Sequence, residues 1–291
     1  MLPRSVIQKL RRIEIRTRRA VSDLFAGRYQ AVFKGQGMEF EEVREYLPGD
    51  DIRSIDWNVT ARTGTPFVKK YREERERTLM LLVDVSASNL FGSTTQLKRD
   101  LAAETAAILA FSAIANHDRV GLLLFSDRVE KHVPPAKGPT HVLRVVSDIL
   151  AARPSPPRTD LSPVLETLYR TLPRRSVVFL LSDFIAPLPE NLLRVAARRH
   201  DLVSIGISDP ADFTLPSAGF VRLQDPESGE SLLVDSSHAP TRRAFAARQA
   251  AGRAALHDDL RSARSDFLDL STAVPYDREL VRFFRQREAR K

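Results

Sequence analysis

The sequence predicts an α/β protein with a doubly wound, mostly parallel sheet. Apolar runs of strand length occupy residues 79–83, 119–125, 176–181 and 201–208. A continuous apolar run of this length is typical of a strand buried on both faces, as in a parallel sheet covered by helices. Segments with helical periodicity lie between the runs, and such alternation favours this fold class. Asp84, Asp183 and Asp209 follow three of the runs directly or after one residue, so we expect acids along one edge of the sheet.

The composition supports a globular protein and excludes several kinds of site. The chain has 291 residues, of which 43% are hydrophobic and 28% charged, which is enough for a full core. It has no cysteine, which excludes disulfides and cysteine-ligated metals and agrees with a reducing cytoplasm. No apolar run approaches the roughly 20 residues of a membrane span, and no signal-peptide pattern follows the basic start. We therefore expect a cytoplasmic protein, at most peripheral to the inner membrane.

Positive charge is concentrated at the two ends of the chain. Residues 1–34 carry nine Lys and Arg against two acids, a net +7. Residues 278–291 carry six against two, a net +4, so the rest of this +8 chain is slightly acidic. Basic ends indicate an acidic partner, a lipid headgroup surface or nucleic acid, and solvated helix faces are the alternative.

Residues 4–26 predict an amphipathic helix with an arginine-rich outer face, and Gly27 fits its end. We expect the helix to dock on its own domain, with an anionic membrane surface or a partner as alternatives. Its apolar-leaning row is Val6, Leu10, Ile13, Thr17, Val21 and Leu24.

Residues 35–76 hold the densest polar patterning of the chain. The tetrapeptide at residues 47–50, Leu-Pro-Gly-Asp, predicts a type II turn, because its third position requires positive φ. Asp50 or Asp51 then caps a short helical turn through Trp57. Residues 66–71 alternate like a half-exposed strand. The acids of this segment alternate with arginines, which favours local salt bridges and caps over a metal cluster.

The remaining elements follow in chain order. Between the buried runs we expect helices over residues 97–115, 140–152, 161–172 and 188–199, and an edge strand over 129–133. Thr159 or Asp160 would cap the third of these helices. After residue 210 we expect a hairpin of 219–223 with 231–235, a helix over 240–264, a strand over 267–270 and a basic helix over 277–290. The predicted domains are an N-terminal basic helix and polar segment (1–77), a central domain (78–212), and C-terminal elements completing that domain (213–291).

The loops after the strands carry a candidate metal site. Asp84, Ser86 and Ser88 follow the first buried run at alternate positions, and Asp183 follows a later one. With Thr159, these residues should lie on loops along one edge of the sheet. Carboxylate and hydroxyl oxygens suit Mg2+ or Mn2+. The alternative is that Asp84 and the serines only cap the next helix, which is the commonest role of such residues.

Residues 78–209 resemble a von Willebrand factor A domain with a metal-ion-dependent adhesion site. The similarity lies in Asp84-x-Ser86-x-Ser88, then Thr159, then Asp183. The resemblance implies that the serines and the threonine contact Mg2+, and that the two aspartates bind it directly or through water. Thr159 departs from the pattern because it does not follow a glycine.

Residues 35–88 carry a second, more specific similarity, to the bacterial domain-of-unknown-function 58 family. The string runs from Gly35-x-Gly37 to Thr60-Ala61-Arg62 and Val68-Lys69. The resemblance implies a von Willebrand A-like domain and partnership with a MoxR-type AAA+ ATPase and a client protein, in a chaperone-like or maturation system. The family-motif residues are Glu39, Arg44, Tyr46, Gly49, Asp50, Asp51, Arg53, Asp56, Trp57 and Arg62.

The leading hypothesis is therefore a non-enzymatic, metal-dependent interaction module that acts as an adaptor for such an ATPase. A metal-dependent hydrolase using the same pocket would need a general base, and none stands beside the proposed ligands in the sequence. The six histidines are scattered without metal-binding spacing, and no phosphate-binding glycine loop occurs. Nucleic-acid binding through the basic ends is less expected, because no aromatic residues cluster there for base stacking.

Overall fold

The computed structural model describes residues 4–20, 38–73, 76–153, 158–225 and 227–290. The strands in these ranges are β1 (Met38–Glu45), β2 (Phe67–Glu73), β3 (Thr78–Asp84), β4 (Arg119–Phe125), β5 (Val129–Ala136), β6 (Val177–Ser182), β7 (Asp201–Ser208), β8 (Phe220–Gln224), β9 (Ser231–Asp235) and β10 (Asp266–Ser271). The α-helices there are α1 (Arg4–Ala20), α2 (Trp57–Thr63), α3 (Lys98–Ala115), α4 (Pro139–Ala151), α5 (Ser162–Thr171), α6 (Glu190–Arg199), α7 (Pro210–Phe213), α8 (Ala239–Ser262) and α9 (Tyr276–Glu288). Short 3-10 turns occupy Ile52–Ser54 and Ala87–Leu90.

A six-stranded sheet forms the centre of the molecule, in the order β10-β7-β6-β3-β4-β5. All neighbouring pairs are parallel except β4 with β5, which is antiparallel. The mostly parallel α/β sheet expected from the sequence is therefore confirmed, as is the edge position of the more polar β5. Since β3 lies between β4 and β6, the loops that follow these three strands leave the sheet side by side.

Helices cover both faces of this sheet. Leu79, Leu81 and Val83 of β3 pack in one apolar cluster with side chains of α1, α3, α4 and α9. Met80 and Leu82 point to the other face, into a cluster with side chains of α5, α6 and α8. All five side chains are completely buried. Burial of one such side chain contributes about 1.5–3 kcal/mol, so β3 is held firmly where its carboxyl end meets the loops.

The N-terminal helix α1 docks on the domain through its apolar row. Ile13 and Thr17 are buried, and Lys9 donates a 2.6 Å hydrogen bond to Asp100 on α3. Arg11 and Arg12 on the outer face are exposed. The expected continuation of this helix to residue 26, with its stop at Gly27, lies outside the described residues.

Residues 38–73 form a small antiparallel sheet of β1 and β2, with a bulge between Phe40 and Glu42. The sequence did not predict β1. Four of its eight residues are glutamates, and the bulge interrupts the alternation that would mark a strand. The alternation in residues 66–71 did predict β2. Strand β1 therefore forms because its backbone pairs with β2, and its own sequence does not predict it.

The C-terminal segment adds both a central strand and a peripheral hairpin. Strand β10 joins the main sheet beside β7, while β8 and β9 pair only with each other. This confirms the predicted hairpin, with β8 shifted by one residue. No helix in the described ranges is long and apolar enough to cross a membrane.

Candidate functional site

The carboxyl end of β3 gathers three polar side chains in the interior. Asp84 Oδ1 accepts a 2.9 Å hydrogen bond from the Ser86 N–H, and the hydroxyls of Ser86 and Ser88 lie 3.1 Å apart. All three residues are buried. The Asn89 amide donates to the Ser86 hydroxyl at 3.3 Å, which orients that oxygen. The order of residues along one tight turn therefore suffices to bring the three together.

These residues do not cap the following helix, so the alternative assignment from the sequence is wrong. Helix α3 begins at Lys98, and its N-cap position is Leu97, well beyond Ser88. Ser86 precedes the 3-10 turn Ala87–Leu90 but makes no capping bond with its side chain. The hydroxyls are thus held next to Asp84 without serving a helix end.

Strand β6 completes the surroundings of Asp84. The Ser182 hydroxyl donates a 2.6 Å hydrogen bond to Asp84 Oδ2 and accepts one from the Phe184 N–H at 3.1 Å. Asp183 lies between Ser182 and Phe184 in the sequence. Phe184 takes a left-handed backbone conformation with φ of 56°. This conformation is strained for a bulky residue and recurs at functional sites. It turns the chain sharply directly after Asp183.

Asp84 has an unusual pKa because it is buried. Burial, reinforced by the negative charge of Asp183, raises the pKa of Asp84 to about 7, while hydrogen bonds from Ser182 and Ser86 act in the opposite direction. A buried carboxylate without a counter-charge takes up a proton more readily. A bound cation would reverse this and favour the ionised form.

Lys98 is the residue that the sequence interpretation missed at this edge. Its side chain is only 2% exposed, and its ammonium lies 3.0 Å from Asp183 Oδ2 and 3.4 Å from Asp212 Oδ2. Burial favours the neutral amine, but the two carboxylates outweigh it and raise the pKa of Lys98. A signal did exist, because Lys98, Leu101, Thr105 and Ile108 follow helical spacing on the buried side of α3.

Thr159 lies at the same edge with a different partner. The Asp160 N–H donates a 2.9 Å hydrogen bond to the Ser126 carbonyl, directly after β4. The Thr159 hydroxyl and its N–H both donate to the carboxylate of Glu227, in the turn between β8 and β9. Thus the structure brings together Asp84, Ser86, Ser88 and Asp183, whereas Thr159 is bonded to Glu227, a residue that no sequence pattern had singled out.

The donors at the end of β3 fit a small divalent cation. Adjacent ligands of octahedral Mg2+ at 2.0–2.1 Å lie roughly 3 Å apart, and the two hydroxyls are 3.1 Å apart. The Asn89 amide oxygen is buried without a hydrogen-bond partner among the described residues. No group of three or more His, Cys, Asp or Glu capable of holding a metal occurs in the described ranges, so a site here would depend on hydroxyls. Asp183 and Thr159 have other partners in this structure, Lys98 and Glu227.

A third acid at this edge is structural. Asp209 follows β7 and is buried, and it accepts hydrogen bonds from Thr272 Oγ1 at 2.6 Å and from the N–H groups of Ser93 and Ala211 at 3.0 Å. Burial alone would raise the pKa of Asp209, but hydrogen bonds from Ser93, Thr272 and Ala211 hold it below its ordinary value. Asp209 therefore fastens the loops around the site.

The family-motif segment forms a turn after β1 that hydrogen bonds between Arg44 and Asp50 stabilise. Arg44 donates two hydrogen bonds, of 2.8 and 2.7 Å, to the carboxylate of Asp50. The Asp50 N–H closes the turn on the Leu47 carbonyl at 3.0 Å, and Gly49 has φ of 111°, as the predicted type II turn requires. The hydrogen bonds from Arg44 lower the pKa of Asp50. Tyr46 continues the segment, and its N–H donates to the Pro66 carbonyl.

Two further motif acids are helix caps, as the interpretation from local salt bridges and caps expected. Asp51 caps Ile52–Ser54, which ends before Trp57 instead of running through it as expected. Asp56 accepts hydrogen bonds from the N–H groups at the start of α2, which begins at Trp57. The backbone of Glu39 lies opposite that of Arg72 in the β1–β2 ladder. The motif also leaves side chains on the surface, namely Arg53, Trp57 and Arg62.

Comparison with known proteins places these features in a family. The family model described as "Protein of unknown function DUF58" matches residues 42–255. An uncharacterized protein of Mycobacterium tuberculosis, Rv1480, is 35% identical over 283 residues, which cover 96% of this chain and 88% of the relative. An uncharacterized protein of Mycobacterium avium is 33% identical over 159 residues, covering 53% of this chain and 92% of the relative.

A solved structure shares the fold. The structure described as an aerotolerance-related membrane protein from Bacteroides fragilis matches with a TM-score of 0.50 and 12% sequence identity. The match covers 74% of this chain and all of that one. At this identity the similarity concerns the fold alone. The family match, which spans most of the chain, and the relative at 35% identity show that the chain belongs to the DUF58 family.

Proposed function

We propose that this protein is a non-enzymatic, metal-dependent interaction module with a von Willebrand factor A-like domain. Its proposed partners are a MoxR-type AAA+ ATPase and a client protein, in a chaperone-like or protein-maturation system. The proposed cation is Mg2+ or Mn2+. The single observation that carries this proposal is the buried group of Asp84, Ser86 and Ser88 at the carboxyl end of the central strand.

The residues of the chain would hold the cation as follows. Asp84 supplies a carboxylate that the Ser182 hydroxyl and the Ser86 N–H orient. Ser86 and Ser88 supply hydroxyl oxygens, and Asn89 fixes the direction of the Ser86 hydroxyl. A bound divalent cation would supply an oxygen-seeking charge that an acidic partner side chain can approach. Because the site is buried, the attraction would be stronger there than in bulk water.

The basic outer face of α1 would steer the encounter. Arg11 and Arg12 are exposed, while the apolar row of α1 is buried against the domain. Exposed charges change association rates and their salt dependence more than final affinity. The proposed ATPase would be met in the cytoplasm, and the same basic face could also rest on the anionic surface of the inner membrane.

Surface-plasmon kinetics against a MoxR-type ATPase encoded near this chain would test the proposal. We expect Mg2+-dependent binding that EDTA removes and that Ser86→Ala weakens mainly through faster dissociation. The matched control is Ser204→Ala, because Ser204 is also a buried serine but lies inside β7 and bonds to Ser265. Double replacement of Arg11 and Arg12 by Gln should slow association and flatten its salt dependence. Binding that neither EDTA nor Ser86→Ala alters would contradict the proposal.

A further inference from the structure

The turn between β8 and β9 places a carboxylate of the chain itself at the candidate site. Thr159 donates twice to Glu227, from its hydroxyl to Oε1 and from its N–H to Oε2, the latter at 3.3 Å. The two residues are 68 positions apart in the chain. A hydrogen bond to an ionised acceptor is stronger than one between neutral groups. Thr159 therefore binds both oxygens of the Glu227 carboxylate.

The turn itself is braced so that the Glu227 side chain is free to reach Thr159. Asp225 accepts hydrogen bonds from the Glu227 N–H at 2.9 Å and from the Ser228 hydroxyl at 2.6 Å. The Gly229 N–H donates to the Asp225 carbonyl, and Gly229 takes a left-handed conformation with φ of 76°. Asp225 thus shapes the turn, and Glu227 makes the long-range contact.

The hairpin is fastened at its base and lightly held elsewhere. At the base, Ser236 is buried, and its hydroxyl donates to the Gly219 carbonyl at 2.8 Å and accepts from the Ala218 N–H. None of the ten side chains of β8 and β9 is buried. Moving the tip away from Thr159 would therefore disturb little of the packed interior, and Gly219, with φ of 75°, lies at the hinge position.

We propose that Thr159 is a carboxylate-binding subsite and that Glu227 is its internal occupant, which an acidic side chain of a partner displaces. The identity of the partner rests on the proposed function, whereas the contact itself is independent of any cation. Thr159 meets Glu227 at the edge where Asp84 and the serines lie, since Asp160 is bonded directly after β4. A partner would compete with the hairpin, so its apparent affinity would be reduced by the fraction of open molecules.

Hydrogen exchange of the full chain in EDTA tests the internal contact without cation or partner. We expect Glu227→Gln and Thr159→Val each to speed exchange in residues 219–236, and the double variant to add nothing further, because both remove one contact. The matched control is Glu230→Gln, on the same turn. Exchange in Glu227→Gln that equals the Glu230→Gln control would overturn the proposal.

Peptide binding tests the subsite. The probe is a fluorescent octapeptide of alternating Glu and Gly, with alternating Gln and Gly as its control. If the hairpin is closed nine-tenths of the time, Glu227→Gln should bind the acidic peptide about tenfold more tightly than the wild type, and adding Thr159→Val should remove that gain. Equal affinity of wild type and Glu227→Gln would overturn the proposal. The subsite predicts this gain in EDTA as well as in Mg2+, whereas the proposed function predicts that EDTA removes binding of the ATPase, so the two failures are distinguishable.

Discussion

The ammonium of Lys98 lies 3.0 Å from the carboxylate of Asp183, and both side chains are almost fully removed from solvent. This edge of the sheet thus already contains a positive charge, the Lys98 ammonium, beside Asp183. Lys98 neutralises Asp183 and also approaches Asp212, whereas Asp84 has hydrogen-bond donors but no basic partner among the described residues. This division makes Asp84 the position where an external cation would be most stabilising.

Replacing Lys98 by Met should destabilise the protein strongly. The change keeps the length of the side chain but leaves Asp183 buried without its counter-charge. Removing one partner of a buried ion pair costs about 3–5 kcal/mol of unfolding free energy. Urea denaturation monitored by circular dichroism measures this loss.

Lys9→Met is the matched control for that experiment, because Lys9 also pairs with an aspartate of the same fold but has a side chain that is 43% exposed. We expect a change of only about 0–1 kcal/mol for this pair. Equal effects of the two replacements would contradict the structural role assigned to Lys98.

Replacing Asp84 by Asn should change how stability depends on pH. The pKa of Asp84 is about 7 in the folded chain against an ordinary 3.8. Between these values the folded chain retains a proton that the unfolded chain has released, so this group lowers the unfolding free energy as pH rises from about 4 to 7. Asn lacks the charge and can still bond to Ser86 and Ser182. In EDTA, the stability of Asp84→Asn relative to the wild type should therefore rise over this range. A constant difference would show that Asp84 has an ordinary pKa.

His200 should contribute with the opposite sign. It is buried, and neither ring nitrogen has a hydrogen-bond partner in the described part of the chain. Burial, with the charges of Arg199 and Arg175, lowers the pKa of His200 from 6.5 to about 4. The unfolded chain then binds the extra proton, so this contribution to stability is complete above pH 6.5 and is lost as pH falls towards 4.

The replacement His200→Leu should therefore stabilise the protein most at low pH. Urea denaturation at pH 5 and pH 8 measures the difference, with His132→Leu as control because His132 is exposed on the edge strand β5. A gain in unfolding free energy that is no larger at pH 5 than at pH 8 would contradict the assignment of a buried neutral imidazole.

Two glycines should respond to alanine in opposite directions. Gly49 has φ of 111° in the turn of the family motif, where a side chain is strained whatever the space around it. Gly252 lies within α8 with open space where its Cβ would be. Gly252→Ala should stabilise by roughly 0.5–1 kcal/mol, whereas Gly49→Ala should speed hydrogen exchange in residues 44–50. Unchanged exchange in Gly49→Ala would mean that the turn tolerates a side chain.

The strands of the main sheet could be predicted because their apolar runs are long and buried on both faces. β4 and β7 have the expected bounds, and β3 and β6 differ by one residue at each end. Strand β1 could not be predicted, since its glutamates and its bulge hide the alternation and its stability comes from pairing with β2. Local sequence patterns predict elements that interactions between nearby residues determine. Strand pairing joins residues that are distant in sequence, so such patterns do not predict it.

The same distinction applies to the candidate site. Asp84, Ser86 and Ser88 are neighbours in sequence, so their convergence follows from one turn. The contacts of Lys98 with Asp183 and of Thr159 with Glu227 join residues 85 and 68 positions apart. Which side chains meet across such distances depends on how helices and hairpins pack, and no spacing rule supplies it.

The most direct test of the account is the binding of Mn2+ to the purified chain, measured by the electron paramagnetic resonance signal of the free ion. We expect one bound Mn2+ per wild-type chain, displaced by excess Mg2+. Asp84→Ala should abolish this binding while circular dichroism shows an unchanged fold. Asp127→Ala should retain it, because Asp127 is an acid at the end of the neighbouring strand β4 but not at the end of β3. Equal binding by Asp84→Ala and the wild type, or no binding by the wild type at millimolar Mn2+, would contradict the central claim.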